Sequence, residues 1–240
     1  MSQQRSLILF LVEGPSDRAY LHSIKKLIKD KSKNMLEFKI TYGDLLVKKG
    51  TNYTNVEIKV GVAIQEYLER SRMTIENIKM VIHVVDLDGT FINPNNVVTD
   101  KDLPVGQTVY YRDRIEIFDK NNIIKRNEQK SECLNVLYNL NEINYGNQRK
   151  IPYKLYYFST NIDDYFYDKQ NMSDEEKEAK SDLINDTYED NPEGLRYMLE
   201  NDNVVKGEYL DTWNYVKEGN NSLSRCTNFN KFFTEVLDKL

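Results

Sequence analysis

Two aspartates, Asp86 and Asp88, follow an apolar run in a pattern that could bind a divalent metal ion. The run, residues 80–85, is rich in β-branched side chains and predicts a buried strand. On an extended chain alternate side chains share a face, so Asp86 and Asp88 project together while Leu87 turns back into the protein. Adjacent carboxylates repel each other unless a cation lies between them, and a hard ion such as Mg²⁺ takes oxygen ligands. The pair therefore predicts a metal site at a strand end.

Ordinary turn chemistry is the alternative explanation of this pair, because Asp and Gly are common where strands end. Gly89 follows directly and lets the backbone turn away. A second acidic position upstream favours the metal site. Glu13-Gly14 comes directly after residues 7–12, an apolar run that predicts a strand buried on both faces.

The elements between these two sites predict how they come together. Ser16 is expected to cap one helix with an apolar stripe, residues 36–42 alternate as a second strand, and a Thr54-x-x-Glu57 capping box opens a helix that ends near Arg72. This β-α-β-α-β order predicts an α/β fold with a mainly parallel central sheet flanked by helices. Ligands bind such sheets at the carboxyl ends of the strands, where Glu13 and Asp86 would meet.

The second half of the chain is less regular. Residues 91–106 read as a loop, and residues 109–117 as a strand or an extended excursion. Residues 133–140 predict an amphipathic helix. Residues 153–158 predict a strand that leads to Asp163 and Asp164. We expect residues 1–168 to form the catalytic domain and residues 169–240 a helical C-terminal extension packed on it.

Composition excludes several classes of protein. The 240 residues carry 33 basic and 38 acidic side chains, a net charge of -5, which argues against nonspecific coating of nucleic acid but leaves room for a local basic groove. The two cysteines form no Cys-x-x-Cys pair, so neither a disulfide framework nor a thiolate zinc site is expected. The short apolar run near residue 10 suits neither a signal peptide nor a membrane span. We therefore expect a cytoplasmic protein that does not bind membranes.

The Glu13-Gly14 and Asp86-x-Asp88-Gly89 segments, separated by two β-α units, resemble the TOPRIM domain of topoisomerases, primases and several nuclease families. The resemblance covers about residues 6 to 165. Val12-Glu13-Gly14-Pro15-Ser16-Asp17 is most similar to the form found in the overcoming-lysogenization-defect nucleases and in phage-defence, or abortive-infection, TOPRIM nucleases. That resemblance implies a metal-dependent endonuclease that hydrolyses phosphodiesters of DNA or RNA, including tRNA, as the effector of an antiviral defence system.

The resemblance also implies roles for particular residues. Glu13, Asp86 and Asp88 would be catalytic, and Mg²⁺ or Mn²⁺ would be the cofactor. Six residues would supply its ligands: Glu13, Asp17, Asp86, Asp88, Asp163 and Asp164. Asp17 has a second explanation, since an acidic group in the first turn of a helix is stabilised by the helix dipole. A nucleic acid is the expected substrate and an ATPase the expected partner protein, while a homodimer is left open. Several basic residues are available to hold the phosphate backbone, but the sequence does not single any out: Lys125, Arg126, Lys130, Arg149, Lys150, Arg225 and Lys231.

Two other functions compete with the nuclease. Asp86-Leu87-Asp88-Gly89-Thr90 also matches the first motif of haloacid-dehalogenase-type phosphatases, with Asp86 as nucleophile, and Ser159 could end that family's second motif. Against the phosphatase, 85 residues precede Asp86, whereas this motif normally lies near the N-terminus, and Glu13 would have no role. A binding module with a vestigial acidic site is the third candidate, and the completeness of the carboxylate set argues against it.

Overall fold

A computed structural model describes residues 6–31, 34–146 and 149–240. Its strands are β1 (Leu7–Val12), β2 (Met35–Ile40), β3 (Ile78–Asp86), β4 (Val97–Thr99), β5 (Thr108–Tyr110), β6 (Ile115–Ile117), β7 (Glu142–Tyr145) and β8 (Arg149–Phe158). Its α-helices are α1 (Pro15–Leu21), α2 (Ile24–Lys31), α3 (Val56–Ser71), α4 (Lys120–Leu137), α5 (Ile162–Tyr167), α6 (Asp174–Glu189), α7 (Pro192–Asn201), α8 (Tyr209–Val216) and α9 (Asn230–Glu235). Within these ranges, no helix combines the length and the apolar character that crossing a bilayer requires.

The central sheet has the strand order β2-β1-β3-β8-β7. The pairs β1–β2, β1–β3 and β3–β8 are parallel, and only the edge pair β7–β8 is antiparallel. The prediction of an α/β fold with a mainly parallel central sheet is confirmed. Because β1, β3 and β8 are neighbours that run in one direction, their carboxyl ends meet at one edge of the sheet.

A small second sheet lies between residues 97 and 117, across the predicted loop and the segment predicted as a strand or an extended excursion. Its order is β4-β6-β5, with β4 and β6 parallel and β5 and β6 antiparallel. The loop prediction for residues 91–106 is therefore wrong where β4 runs, and residues 109–117 form a hairpin rather than one strand. These three-residue strands are too short for an alternating apolar pattern to reveal them.

Two helix starts also differ from the predictions. Gly14, not Ser16, is the N-cap residue of the first helix, which is split into α1 and α2. The helix α3 begins after Asn55, and no Thr54–Glu57 capping box forms there. The Glu57 carboxylate instead accepts hydrogen bonds from the backbone and side-chain amides of Asn144, at 2.7 and 2.8 Å. Tertiary contacts override the local capping signal at this position.

Helices cover both faces of the sheet, which is why β1 is apolar at every position. Leu7, Leu9 and Leu11 share one core with residues of α3, α4 and α8. Ile8, Phe10 and Val12 share the opposite core with residues of α1, α2, α7 and α9. A strand buried on both faces has no solvent side on which a polar residue would be stable.

The C-terminal segment is part of this second core. Phe229, Phe232 and Phe233 are fully buried beside Phe10 and Phe158 of the sheet. The nearby Thr227 also pairs with the end of β8, where its hydroxyl donates to the Tyr157 carbonyl at 2.6 Å. The division into domains at residue 168 stays a prediction, and its first part includes residues 1–5, 32–33 and 147–148, which lie outside the described residues.

We predict that Phe229→Ala lowers the free energy of unfolding by about 3–5 kcal/mol, because the truncation leaves a cavity against Phe10, Tyr156 and Phe158. Denaturant unfolding followed by circular dichroism measures the change. Tyr197→Ala is the matched control, since Tyr197 lies in the same segment but is 70% exposed, and its loss should change stability by no more than about 0.5 kcal/mol. Equal effects of the two substitutions would contradict the packing described here.

Candidate metal site

Glu13 and Asp86 meet at the carboxyl edge of the central sheet. Glu13 directly follows β1, Asp86 is the last residue of β3, and these two strands are parallel neighbours. The backbone N–H of Asp86 donates to Glu13 Oε1 at 3.3 Å. The two acidic positions are 73 residues apart in sequence, and the parallel topology is what brings them together.

Asp88 is held next to this pair by a tight turn. Asp88 and Gly89 both adopt left-handed backbone conformations, with φ of 49° and 68°. A side chain at Gly89 would also clash, since a Cβ there would lie 2.6 Å from Leu223 Cδ2. Arg126 of α4 donates to the Asp88 carbonyl at 2.7 Å and fixes the turn from the other side. The sequence prediction that Gly89 serves the turn therefore has both a conformational and a steric reason.

A buried lysine, Lys130, neutralises part of the site. Its ammonium group is fully buried and lies 2.5 Å from Asp44 and 2.9 Å from Asp88. Lys130 is one of the basic residues that the sequence offers for holding the phosphate backbone, and the sequence alone assigns it no place. A signal was present, because Lys130 precedes Cys133, Leu134 and Leu137 at the spacing of one helix face. A lysine on an apolar helical stripe needs a carboxylate partner in the core.

Asp17 has the local role that its position in the first helical turn suggested. Its Oδ2 accepts hydrogen bonds from the backbone N–H groups of Glu13 and Gly14, at 3.0 and 2.8 Å. These bonds hold the turn that carries Glu13. Burial raises the pKa of Asp17 to about 6, the Gly14 amide opposes that rise, and the Asp163 carboxylate adds to it. Its metal-binding role stays a prediction.

Asp163 lies at the start of α5 and faces α1 and α6. Its Oδ1 accepts a hydrogen bond from the Tyr20 hydroxyl at 3.0 Å, and its Oδ2 lies 3.3 Å from Lys177 Nζ. Lys177 belongs to α6, an acidic helix in the predicted C-terminal extension. The carboxylates of Asp163 and Asp86 raise the pKa of Lys177, against the opposing effect of burial. Lys177 is therefore a cation beside the acidic cluster that sequence reasoning missed.

Asp164 is committed to a different cation. Its carboxylate forms a two-point ion pair with Arg112, at 2.5 and 2.7 Å, and is fully buried. Arg112 also donates to Asp168 at 2.6 Å and to the Leu223 carbonyl at 3.1 Å. Both oxygens of Asp164 bind the guanidinium group here, so its contribution to the site is to anchor the start of α5. The ligand role predicted for it stays a prediction.

The charge balance differs sharply among the three central carboxylates. Burial, followed by the Asp17 and Glu13 carboxylates, raises the pKa of Asp86 well above its usual value. Burial and Asp44 likewise raise the pKa of Glu13, with Lys130 opposing. Burial also acts on Asp88, but Lys130 and Arg126 outweigh it and lower the pKa. All three side chains are only half-buried by surface area, so each retains contact with solvent while protein surrounds its other sides.

The donor chemistry of Glu13 and Asp86 fits a hard divalent cation. Both groups are oxygen ligands, and their pKa values are raised first by burial and then by neighbouring carboxylates. Among the described residues, no three His, Cys, Asp or Glu side chains are grouped so that they could hold a metal ion together. One oxygen of each central carboxylate already accepts a hydrogen bond. Glu13 Oε1 accepts from the Asp86 amide, Asp86 Oδ1 from the Ile162 amide and Asp88 Oδ2 from Lys130.

No family model, curated protein or solved structure matches the chain. The residues and contacts described above are therefore what supports a functional proposal.

We predict that Mg²⁺ stabilises the protein at pH 7.5 and has little effect at pH 4.5. A carboxyl group whose pKa is raised by folding stabilises the folded state when the pH is below its unfolded pKa, and this stabilisation is lost as the pH rises through the folded pKa. For Asp17 the loss occurs between about pH 4 and about pH 6. The metal-free protein therefore carries its largest repulsion at neutral pH. Binding at 100 times the dissociation constant adds about 2.7 kcal/mol, which thermal melts detect.

Asp86→Asn and Asp186→Asn provide the comparison, because both remove one negative charge and Asp186 is exposed on α6. Asp86→Asn should melt at a higher temperature than wild type at pH 7.5 without metal, and Mg²⁺ should raise its melting temperature little. The Asp186 variant should respond to Mg²⁺ as wild type does. An equal rise in melting temperature with Mg²⁺ in all three proteins would show that Mg²⁺ does not bind at this site.

Proposed function

We propose that the protein is a TOPRIM-like, metal-dependent nuclease that hydrolyses phosphodiester bonds of nucleic acids. The observation that carries the proposal is the meeting of Glu13 and Asp86 on neighbouring parallel strands, with their pKa values raised by burial and by nearby carboxylates. Groups with strongly perturbed pKa values that converge at the carboxyl edge of an α/β sheet mark a functional site. This pairing also uses both motifs from which the TOPRIM resemblance was inferred.

The residues of the site divide the work of such a reaction. Glu13 and Asp86 would hold Mg²⁺ or Mn²⁺, with Asp88 beside them and Lys130 keeping Asp88 ionised. A bound divalent ion polarises a phosphate oxygen and lowers the pKa of a coordinated water. In the alternative in which Glu13 does not bind the ion, it would instead accept or donate a proton. Lys177, one-third exposed and beside Asp163, would contact the substrate phosphate.

The same site explains why the phosphatase alternative is weaker. In that alternative the end of β8 would supply a hydroxyl group to the phosphate bound at Asp86. The Ser159 hydroxyl instead donates to the Asn221 carbonyl at 2.6 Å, and the Thr160 hydroxyl to the Leu223 carbonyl at 2.9 Å. Both hydroxyls are committed to the C-terminal segment, and Glu13 would have no role in the phosphatase.

The net charge of -5 supports a role for a partner protein. A chain with this charge gains little nonspecific attraction to nucleic acid, and it has no Walker-type Gly-Lys-Ser/Thr loop of its own. We propose that a separate ATPase recruits or regulates the nuclease in antiviral defence. This part of the proposal rests on the resemblance and on charge, and a homodimer would be compatible with it.

Cleavage assays with three substrates test the proposal. Purified protein with Mn²⁺ is incubated with labelled DNA, total tRNA and a generic phosphomonoester, and we expect hydrolysis of a nucleic acid only. Asp86→Asn and Glu13→Gln should each lower the rate about a thousandfold or more, because metal binding supplies several kcal/mol of transition-state stabilisation.

Asp182→Asn is the control, since Asp182 is exposed on α6 and its substitution changes the charge equally. It should cleave as wild type does. Full cleavage by the Asp86 variant would overturn the proposal. Phosphomonoester hydrolysis that survives Glu13→Gln would favour the phosphatase, and a metal-binding protein without any hydrolysis would favour the binding module.

A further inference from the structure

A basic pocket lies one strand away from the acidic site. It has a volume of about 200 Å³ and is bounded by the end of β2, residues 41–51 and one face of α3. Four of its lining residues are lysines: Lys39, Lys48, Lys49 and Lys59. Glu66 is the acidic residue in its lining, and it forms an ion pair with Lys39 at 2.6 Å. In a chain with a net charge of -5, this pocket concentrates positive charge.

An unpartnered hydroxyl in the pocket wall independently points to a ligand. Thr51 lines the pocket and is only 5% exposed, and its Oγ1 has no hydrogen-bond partner among the described residues. Buried polar groups are nearly always hydrogen-bonded, so we expect a molecule that enters the pocket, a ligand or a water, to supply the partner of this hydroxyl. Lys48 lines the same pocket, and its Nζ donates to the Thr41 carbonyl at 2.6 Å.

We propose that this pocket binds a phosphate group. Ammonium groups and a hydroxyl are donors, and a phosphate offers several anionic acceptor oxygens that can take hydrogen bonds from all of them. Glu66 is already neutralised by Lys39, so an anion in the pocket meets the remaining lysines without an unpaired carboxylate opposing it. A phosphate oxygen would satisfy Thr51 Oγ1.

The pocket is coupled directly to the acidic site. The N–H of Thr41 donates to the Val12 carbonyl at 2.9 Å, and that of Gly43 to the Glu13 carbonyl at 3.0 Å. Asp44, in the same segment, pairs with Lys130, which in turn holds Asp88. The pocket and Glu13 therefore belong to the ends of two neighbouring parallel strands, β2 and β1.

A groove next to the pocket favours a nucleic-acid strand as the source of the phosphate. It runs along the edge strand β2 on the other side of Lys39, and Arg18 and Arg70 line it together with Tyr42 and Tyr67. Tyr42 is 70% exposed, and bases stack on such rings in proteins that bind single strands. This identification of the source rests on the proposed nuclease function, whereas the phosphate site itself rests on the pocket.

Binding measurements in EDTA test the pocket without any need for catalysis. Inorganic phosphate and a mononucleotide are titrated by calorimetry, and a fluorescent single-stranded oligonucleotide by anisotropy. Thr51→Val removes the hydroxyl and keeps the shape, and should weaken phosphate binding about tenfold, the effect of losing one hydrogen bond to a charged group. The double variant Lys48→Gln/Lys59→Gln should also make oligonucleotide affinity less dependent on salt. The negative slope of log affinity against log salt concentration should become shallower by about 0.7 for each phosphate that the lysines no longer neutralise.

Two further variants separate the sources of the phosphate and control for charge. If the ligand is a nucleic-acid strand, Tyr42→Leu should weaken binding of the oligonucleotide and leave binding of inorganic phosphate unchanged. Lys79→Gln, at the amino end of β3 and so at the opposite edge of the sheet, should change neither. Thermal melts check that each variant is folded.

Three outcomes are distinguishable. Loss of both phosphate and oligonucleotide binding in the pocket variants supports the site with a nucleic-acid strand as its ligand. Loss of phosphate and mononucleotide binding alone supports the site with a free phosphate compound as its ligand. Pocket variants that bind all three probes as Lys79→Gln does would overturn the proposal. Because no outcome depends on cleavage, an inactive protein would count against the nuclease and leave this result intact.

Discussion

The repulsion among carboxylates at one edge of the sheet is the constraint on which the rest of the structure depends. Glu13 and Asp86 lie on adjacent strand ends, and burial raises the pKa of both. One buried lysine, Lys130, is shared between Asp88 and Asp44, and Asp164 has its own arginine. Cations thus neutralise Asp88 and Asp164 at the borders of the cluster, while Glu13 and Asp86 lie close together at its centre. Such an arrangement lowers stability at neutral pH, and perturbed carboxylates of this kind cluster at functional sites.

The C-terminal segment connects the two strand ends of the site by hydrogen bonds. The Ser222 carbonyl accepts from the Gly89 N–H at 3.1 Å, and the Leu223 carbonyl accepts from Thr160 and Arg112. The turn after β3 and the turn after β8 are therefore tied to the same short stretch of chain. Phe229 and its aromatic neighbours cover the face of the sheet behind them. The positions of the acidic groups therefore depend on how the C-terminal extension packs on the sheet.

The central part of the fold could be predicted from sequence because its signals are local. Residues 7–12 are apolar throughout, and such a run in a β-α-β order specifies a buried parallel strand with Glu13 at its carboxyl end. Partners from distant segments could not be predicted, since the Arg112–Asp164 pair spans 52 residues and no periodicity relates its members. Lys130 lies between these cases: its helical stripe was visible, but its partner Asp44 depends on how a polar loop folds.

The most direct test of the central claim is where a divalent ion binds. Crystals grown with Mn²⁺, which prefers the same oxygen ligands as Mg²⁺, locate the ion by its anomalous scattering. The account predicts a peak whose ligands include carboxylate oxygens of both Glu13 and Asp86, at about 2.1 Å. It also predicts that Glu13 Oε2 and Asp86 Oδ2 bind the ion, since Oε1 and Oδ1 accept hydrogen bonds from the Asp86 and Ile162 amides. A peak elsewhere, or no peak, would contradict the account.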